Sequence, residues 1–139
     1  MSKLARKTRV LIVDDDVSVL DGLRRGLRRY AAEWDISFAQ DAAEALMTAK
    51  LRPLDVVITD MRMPNMRGGD LLRRFAERYP ETLRIAFSDK FDALTTYTLT
   101  DCSHTFIAKP CDALRLYHFV QERVAEHLGR VVHARDRAR

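Results

Sequence analysis

Five short aliphatic runs alternate along the chain with longer amphipathic stretches, and this alternation constrains the fold most. The first run, residues 10–13, is rich in β-branched residues and closes in three aspartates, which is typical of a buried strand. Four more strands are predicted at 36–39, 54–59, 83–87 and 105–108. Because a helix-length segment follows each run, the sequence predicts an α/β fold, a doubly wound five-stranded parallel sheet with helices on both faces.

Aspartates precede three of the amphipathic stretches. Asp16, Asp41 and Asp112 each stand where a side-chain oxygen can cap the first turn of a helix. The first helix is expected to end at about Tyr30 and the second at Lys50.

The middle of the chain carries two further helical predictions. A helix is expected over 70–79, after a loop at 63–69 that contains Pro, Asn and two Gly. Another is expected over 92–100. Because that segment contains four threonines, which are poor helix formers, we expect a weak or irregular helix there.

Charge and composition indicate one domain with basic ends. The 139 residues are 47% hydrophobic and 32% charged, a balance that argues against a disordered chain or a membrane protein. Four basic residues lie in 1–9 and four in 128–139, so the remainder is acidic although the net charge is +4. We therefore expect a basic tail over 1–9, a folded domain over 10–128, and a basic tail or helix extension over 129–139.

The aliphatic run at 10–13 is too short for a signal peptide or a membrane span, so a cytoplasmic location is expected. Cys102 and Cys111 lack the spacing of metal ligands and are expected to be free thiols. DNA binding has little support, because the middle of the chain is acidic and no helix-turn-helix is evident.

Polar side chains follow four of the five predicted strands. The first strand ends in 14–16, the third in Asp60 and the fourth in Ser88, and the fifth runs into Lys109. Each residue alone has an ordinary explanation, as a helix cap, a turn residue or a solvated lysine. Because the carboxyl ends of parallel strands meet at one edge of the sheet, the set predicts a site there.

Clustered carboxylates beside a lysine and a hydroxyl suit phosphoryl transfer. Carboxylates within one pocket repel, so they either hold protons or recruit a hard cation such as Mg²⁺. An aspartate can then act as nucleophile and form an acyl phosphate, while the lysine and the hydroxyl stabilise the phosphoryl oxygens.

The ordered set of motifs resembles the receiver domain of two-component response regulators. The resemblance covers about residues 8–128 and rests on Asp14-Asp15, on Val57-Ile58-Thr59-Asp60-Met61-Arg62-Met63-Pro64, on Ser88 and on Phe106-Ile107-Ala108-Lys109-Pro110. It implies a CheY-like, flavodoxin-like (βα)5 fold with strand order 2-1-3-4-5. The sequence around these motifs is also similar to that of receivers joined to HDOD or HD-GYP output domains.

The resemblance implies a role for each matching residue. Asp60 matches the phosphoacceptor. Asp14 and Asp15 match the acidic pair that binds Mg²⁺ together with Asp60 and the backbone carbonyl of Arg62.

Three further positions match the residues that respond to phosphorylation. Ser88 matches the hydroxyl that moves to the phosphoryl group, and Lys109 matches the lysine paired to it. Phe106 stands where the family has its rotating Tyr or Phe.

Three residues around the predicted site are expected to tune it. Asp89 stands where the family usually has Ala or Gly, and we favour an orientation toward solvent or a capping role over one that impairs the pocket. The resemblance also places Arg62 and Lys90 at positions that the family uses to tune hydrolysis of the acyl phosphate, and slow autodephosphorylation is expected from these two cations.

The resemblance also implies partners. The phosphodonor is expected to be a sensor histidine kinase or a phosphotransfer protein. A downstream protein is expected on the face formed by the fourth helix, the fifth strand and the fifth helix, with a homodimer through an extended last helix as a further possibility. The only catalysis expected is self-phosphorylation and slow hydrolysis, in a lone receiver or in one domain of a longer protein.

Two other classes of function are open on the sequence. One is an interaction module that keeps the fold without the chemistry. The other is a Mg²⁺-dependent phosphatase of the haloacid dehalogenase type, because Asp14-x-Asp16 after a strand is similar to the opening of that family and would place its nucleophile at Asp14.

Overall fold

The computed structural model describes residues 6–63, 66–88, 105–109 and 111–137. The strands are β1 (Thr8–Val13), β2 (Trp34–Ala39), β3 (Val56–Asp60), β4 (Leu83–Ser88) and β5 (Thr105–Ala108). The helices in these ranges are α1 (Val17–Leu27), α2 (Ala42–Leu51), α3 (Gly68–Arg78) and the C-terminal helix (Ala113–Arg137). The helix predicted over 92–100 lies outside the described residues.

The five strands form one parallel sheet in the order β2-β1-β3-β4-β5. This confirms the doubly wound α/β fold and its strand order. Val13 of β1 pairs with Thr59 of β3, and Asp60 pairs with Phe87 of β4. The register therefore brings the carboxyl ends of the three central strands to the same edge.

Each face of the sheet has its own core. The core on one face lies under α1 and the C-terminal helix and includes Leu27, Trp34 and Leu116. The core on the other face includes Leu71 and Phe75 of α3. Coverage of both faces explains why the strand sequences read as continuous aliphatic runs rather than as alternating ones.

The three predicted aspartate caps are confirmed by their hydrogen bonds. Backbone N–H groups donate to the Oδ1 atoms at 2.8–2.9 Å, Ser18 to Asp16, Glu44 to Asp41 and Arg115 to Asp112. Each bond satisfies an amide that the first turn of a helix leaves unpaired. The segment predicted to be helical to Tyr30 is α1 followed by a 3₁₀ turn, Arg28–Tyr30.

The predicted loop at 63–69 is wrong at its end, since α3 begins two residues earlier than expected. Arg67 is the N-cap in an extended conformation, and its side chain makes no capping bond. The helix starts with two glycines because its buried residues, Leu71 and Phe75 among them, decide where it lies against the sheet. No helix in the described ranges is long and apolar enough to cross a bilayer.

Candidate functional site

The strand ends bring the predicted acidic residues together. Asp14 follows β1 directly and Asp60 is the last residue of β3. One carboxylate oxygen from each of Asp14, Asp15 and Asp60 lies within 4.8 Å of the others. Asp14 is fully buried and Asp60 is 8% exposed, whereas Asp15 is exposed. The cluster therefore has two buried carboxylates and one that faces water.

Lys109, the residue after β5, places its ammonium between the two buried carboxylates. Its Nζ donates to Asp14 Oδ2 at 2.7 Å and lies 3.3 Å from Asp60 Oδ1. Asp14 Oδ1 accepts the backbone N–H of Asp16 at 2.9 Å. Both oxygens of Asp14 thus accept a hydrogen bond, which fixes the orientation of this carboxylate.

The pKa of Asp60 is raised to about 6. The largest cause is burial, and the second is the negative charge of Asp14. The charge and hydrogen bond of Lys109 and the backbone N–H of Arg62 act in the opposite direction without cancelling these two effects. Among the described residues, the carboxylates of the pocket therefore carry more negative charge than Lys109 neutralises.

Lys109 keeps its proton for the converse reason. Burial lowers its pKa, but the hydrogen bond and charge of Asp14, followed by those of Asp60, outweigh burial and leave the pKa above its ordinary value. The Nζ also lies 5.0 Å from the ring centroid of Phe87, which adds a cation–π contact. The cation is held in place from several sides.

The remaining predicted residues have different placements. Ser88 is 1% exposed, and its carbonyl accepts the backbone N–H of Lys109 at 2.7 Å, so it lies next to the lysine. Phe106 is 46% exposed on the edge strand β5, and Arg62 is also exposed. Asp89 and Lys90 lie outside the described residues. The roles given to these five residues stay predictions.

A family profile for the response regulator receiver domain matches residues 10–121. The chain belongs to this family. The receiver is 34% identical over 88 residues to the hydrogenase transcriptional regulatory protein HoxA of Cupriavidus necator. The aligned residues cover 63% of this chain and 18% of HoxA. It is 31% identical over 116 residues to the response regulator protein PilR of Pseudomonas aeruginosa, 82% of this chain and 25% of PilR. The chain thus spans a quarter or less of the length of these relatives.

Solved structures share the receiver's fold. The signal receiver domain of an HD domain-containing protein from Pseudomonas fluorescens Pf-5 superposes with a TM-score of 0.82 at 25% identity, over 94% of this chain and 96% of that one. A CheY-like receiver domain protein from Methanospirillum hungatei JF-1 gives a TM-score of 0.77 at 22% identity, over 90% and 99%. The second likeness shows the fold alone.

The donor set of this receiver fits a hard divalent cation. Three carboxylates converge, and Mg²⁺ prefers a few oxygen ligands together with waters. Exposed Asp15 leaves one side of the cluster open to those waters. A cation there would also compensate the excess negative charge that raises the pKa of Asp60.

Sequence reasoning missed three neighbours of the site. Phe87 lies under the lysine, and Met61 and Met63 are each 8% exposed in the segment after Asp60. Their signal was present, because Met61 and Met63 alternate with exposed Arg62 and an apolar residue precedes Ser88. Phe87 helps to hold the ammonium of Lys109, whereas Met61 and Met63 belong to the core that includes Leu71 and Phe75.

Proposed function

We propose that this receiver is a phosphorylation-dependent signalling switch in which Asp60 accepts a phosphoryl group. The single observation that carries the proposal is the position of the Lys109 ammonium, within 2.7 Å of Asp14 and 3.3 Å of Asp60. A fixed cation at this place stabilises charge that develops on phosphoryl oxygens bound to Asp60. The exposed side of the cluster at Asp15 gives the donor access.

The proposed step is transfer from a phosphohistidine of a sensor kinase or phosphotransfer protein. The ionised carboxylate of Asp60 attacks phosphorus, the phosphorus–nitrogen bond breaks, and the imidazole leaves with the electron pair and its proton. With a pKa of about 6, Asp60 is mostly ionised at neutral pH. Lys109 then pairs with the new phosphoryl oxygens, and the buried hydroxyl of Ser88 donates to one of them.

Mg²⁺ is part of the proposal. Asp14, Asp15, Asp60 and the backbone carbonyl of Arg62 would hold it. When bound, it supplies positive charge to the phosphoryl oxygens. The chain's own contribution is to hold the carboxylates together, to keep Lys109 protonated and to bury Asp14 and Asp60.

The response is proposed to appear on the face that includes β5 and the start of the C-terminal helix. Phe106 and Leu114 expose 46% and 49% of their surfaces there, which suits contact with a downstream protein or a second copy. An HD-type output domain is proposed as the downstream element, supported by the likeness to the receiver of an HD domain-containing protein. The receiver unit is taken as residues 10–128.

Intact mass spectrometry after incubation with phosphoramidate and Mg²⁺ tests the acceptor. The wild-type chain should gain one phosphoryl group, about 80 Da, when Mg²⁺ is present during the incubation, and none when EDTA is added beforehand. Asp60→Asn should gain nothing. Asp41→Asn, which changes a helix cap that is not part of the acidic cluster, is the matched control and should react like wild type. An adduct that persists in Asp60→Asn would refute the acceptor, and no adduct in folded wild type would favour the interaction module.

A further inference from the structure

A cleft of about 330 Å³ lies between the C-terminal half of α1 and the edge of the sheet. Much of its apolar lining comes from alternate residues of β2, and three basic side chains also line it. The side chains that define this α1–β2 cleft are Lys7, Arg24, Arg28, Trp34, Ile36 and Phe38. The phosphoryl-transfer chemistry uses none of them.

The strand that forms one wall of the cleft has a free edge. β2 is the outermost strand, and β1 pairs with one side of it only. The N–H of Thr8 donates to the carbonyl of Glu33 at 2.9 Å. Glu33 and every second residue after it therefore direct their backbone N–H and C=O groups toward β1. The backbone N–H and C=O groups of Trp34, Ile36 and Phe38, which alternate with that set, therefore point away from β1 and outward from the sheet. No other strand of the described ranges pairs with that side, which is a template for an added strand.

Unneutralised positive charge borders this edge. Four arginines lie within two turns at the end of α1 and in the 3₁₀ turn after it, and all are exposed, namely Arg24, Arg25, Arg28 and Arg29. None of the four forms an ion pair with a described carboxylate. The acid that lines the cleft, Asp35, is already paired with Arg52. The cleft therefore favours an anionic occupant.

The aromatic lining does not suit nucleic acid bases. The guanidinium of Arg24 lies 4.5 Å from the ring centroid of Phe38 and covers that face. Trp34 is only 2% exposed. Sequence-tolerant binding of single strands requires open aromatic faces for stacking, whereas a polypeptide needs only the backbone groups of β2 and the flanking charge.

We propose that an acidic, extended segment of a partner protein adds to the free edge of β2. Its backbone pairs with Trp34, Ile36 and Phe38, and its carboxylates contact the arginines of α1. The interaction is separate from phosphoryl transfer, and it gives the receiver a second surface for a partner.

A synthetic ten-residue peptide with alternating Val and Glu is the probe. Trp34 is the only tryptophan, so its fluorescence reports occupancy of the cleft. The peptide should bind, and the counterpart with Lys in place of Glu should not. Charge reversal in Arg24→Glu/Arg28→Glu should weaken binding roughly tenfold. The matched control is Arg74→Glu/Arg78→Glu, two exposed arginines with the same spacing on α3, and it should bind like wild type.

N-methylated peptides separate strand addition from simple charge attraction and need only the wild-type chain. Methyl groups on every second amide block pairing in one register and leave it intact in the other. One of the two methylated peptides should bind and the other should not. Equal binding of both would overturn the proposal, as would tighter binding of a single-stranded oligothymidylate than of the acidic peptide.

Discussion

At the scale of single residues, Asp60 couples the site to stability. Its pKa is about 6 in the folded chain against 3.8 as the ordinary value. Because the folded state binds the proton more tightly, the stabilisation is complete below about pH 4 and is lost as the pH rises through 6. In metal-free buffer the carboxyl group should therefore lower the free energy of unfolding by about 3 kcal/mol between those limits.

Asp60→Asn isolates this effect, because the amide does not titrate. The difference in the free energy of unfolding between the variant and wild type should grow in favour of the variant from pH 4 to 6 and stay constant above about pH 7. Urea titrations at four or five pH values with EDTA measure it. A difference independent of pH would mean that burial and the charge of Asp14 do not raise the pKa of Asp60.

Lys109 stabilises the same pocket by placing a positive charge beside Asp14 and Asp60. Lys109→Met leaves fully buried Asp14 without its ion pair and should lower the free energy of unfolding at pH 7 by about 3–5 kcal/mol. Adding Asp14→Asn should restore a large part of that loss, because the uncompensated charge is then gone. A double-mutant cycle by urea unfolding measures the coupling, and additive losses would contradict the pairing.

At the scale of elements, α1 contains two glycines with opposite surroundings. A Cβ atom at Gly26 would lie 2.5 Å from Cβ of Ala113, where the C-terminal helix begins, whereas a Cβ at Gly22 would meet nothing within 4 Å. Gly26→Ala should therefore destabilise the chain by about 1–3 kcal/mol. Gly22→Ala should stabilise it by about 0.5–1 kcal/mol, since alanine favours the helix. Equal shifts of the urea midpoint would show that the two helices do not touch closely here.

The elements were predictable wherever the signal is local. Asp16, Asp41 and Asp112 cap helices as expected, because capping depends on one side chain and the next three residues. The start of α3 at Gly68 was not predicted, since tertiary packing overrides the low helix propensity of glycine. Tertiary packing also explains why β2 begins at Trp34, two residues before its aliphatic run, because Trp34 is buried in the core.

The location of the candidate site and the residues that come together there were predictable, but the electrostatics of the site were not. The carboxyl ends of parallel strands share an edge in any such sheet, so Asp14, Asp60 and Lys109 could be expected together. That Lys109 bonds Asp14 more closely than Asp60, and that the pKa of Asp60 rises, depends on side-chain placement and burial. The α1–β2 cleft likewise needs the three-dimensional relation of α1 to an edge strand.

At the scale of the whole molecule, one sheet carries two cores. Phe75 of α3 is fully buried on one face, and Trp34 is buried on the other. Because both cores pack on the same strands, a chain of this size should unfold as one cooperative unit. A cavity in one core should then weaken the packing that a probe in the other core reports.

Phe75→Ala tests this cooperativity. It should lower the free energy of unfolding by about 3–5 kcal/mol, and the Trp34 fluorescence transition should move by the same amount as the circular dichroism transition. Met47→Ala, at a side chain 57% exposed on α2, is the control and should change stability by less than about 0.5 kcal/mol. If fluorescence of Trp34 kept its wild-type midpoint while the dichroism shifted, the two faces would unfold separately. A signal from Asp60 could then pass to one face without involving the other.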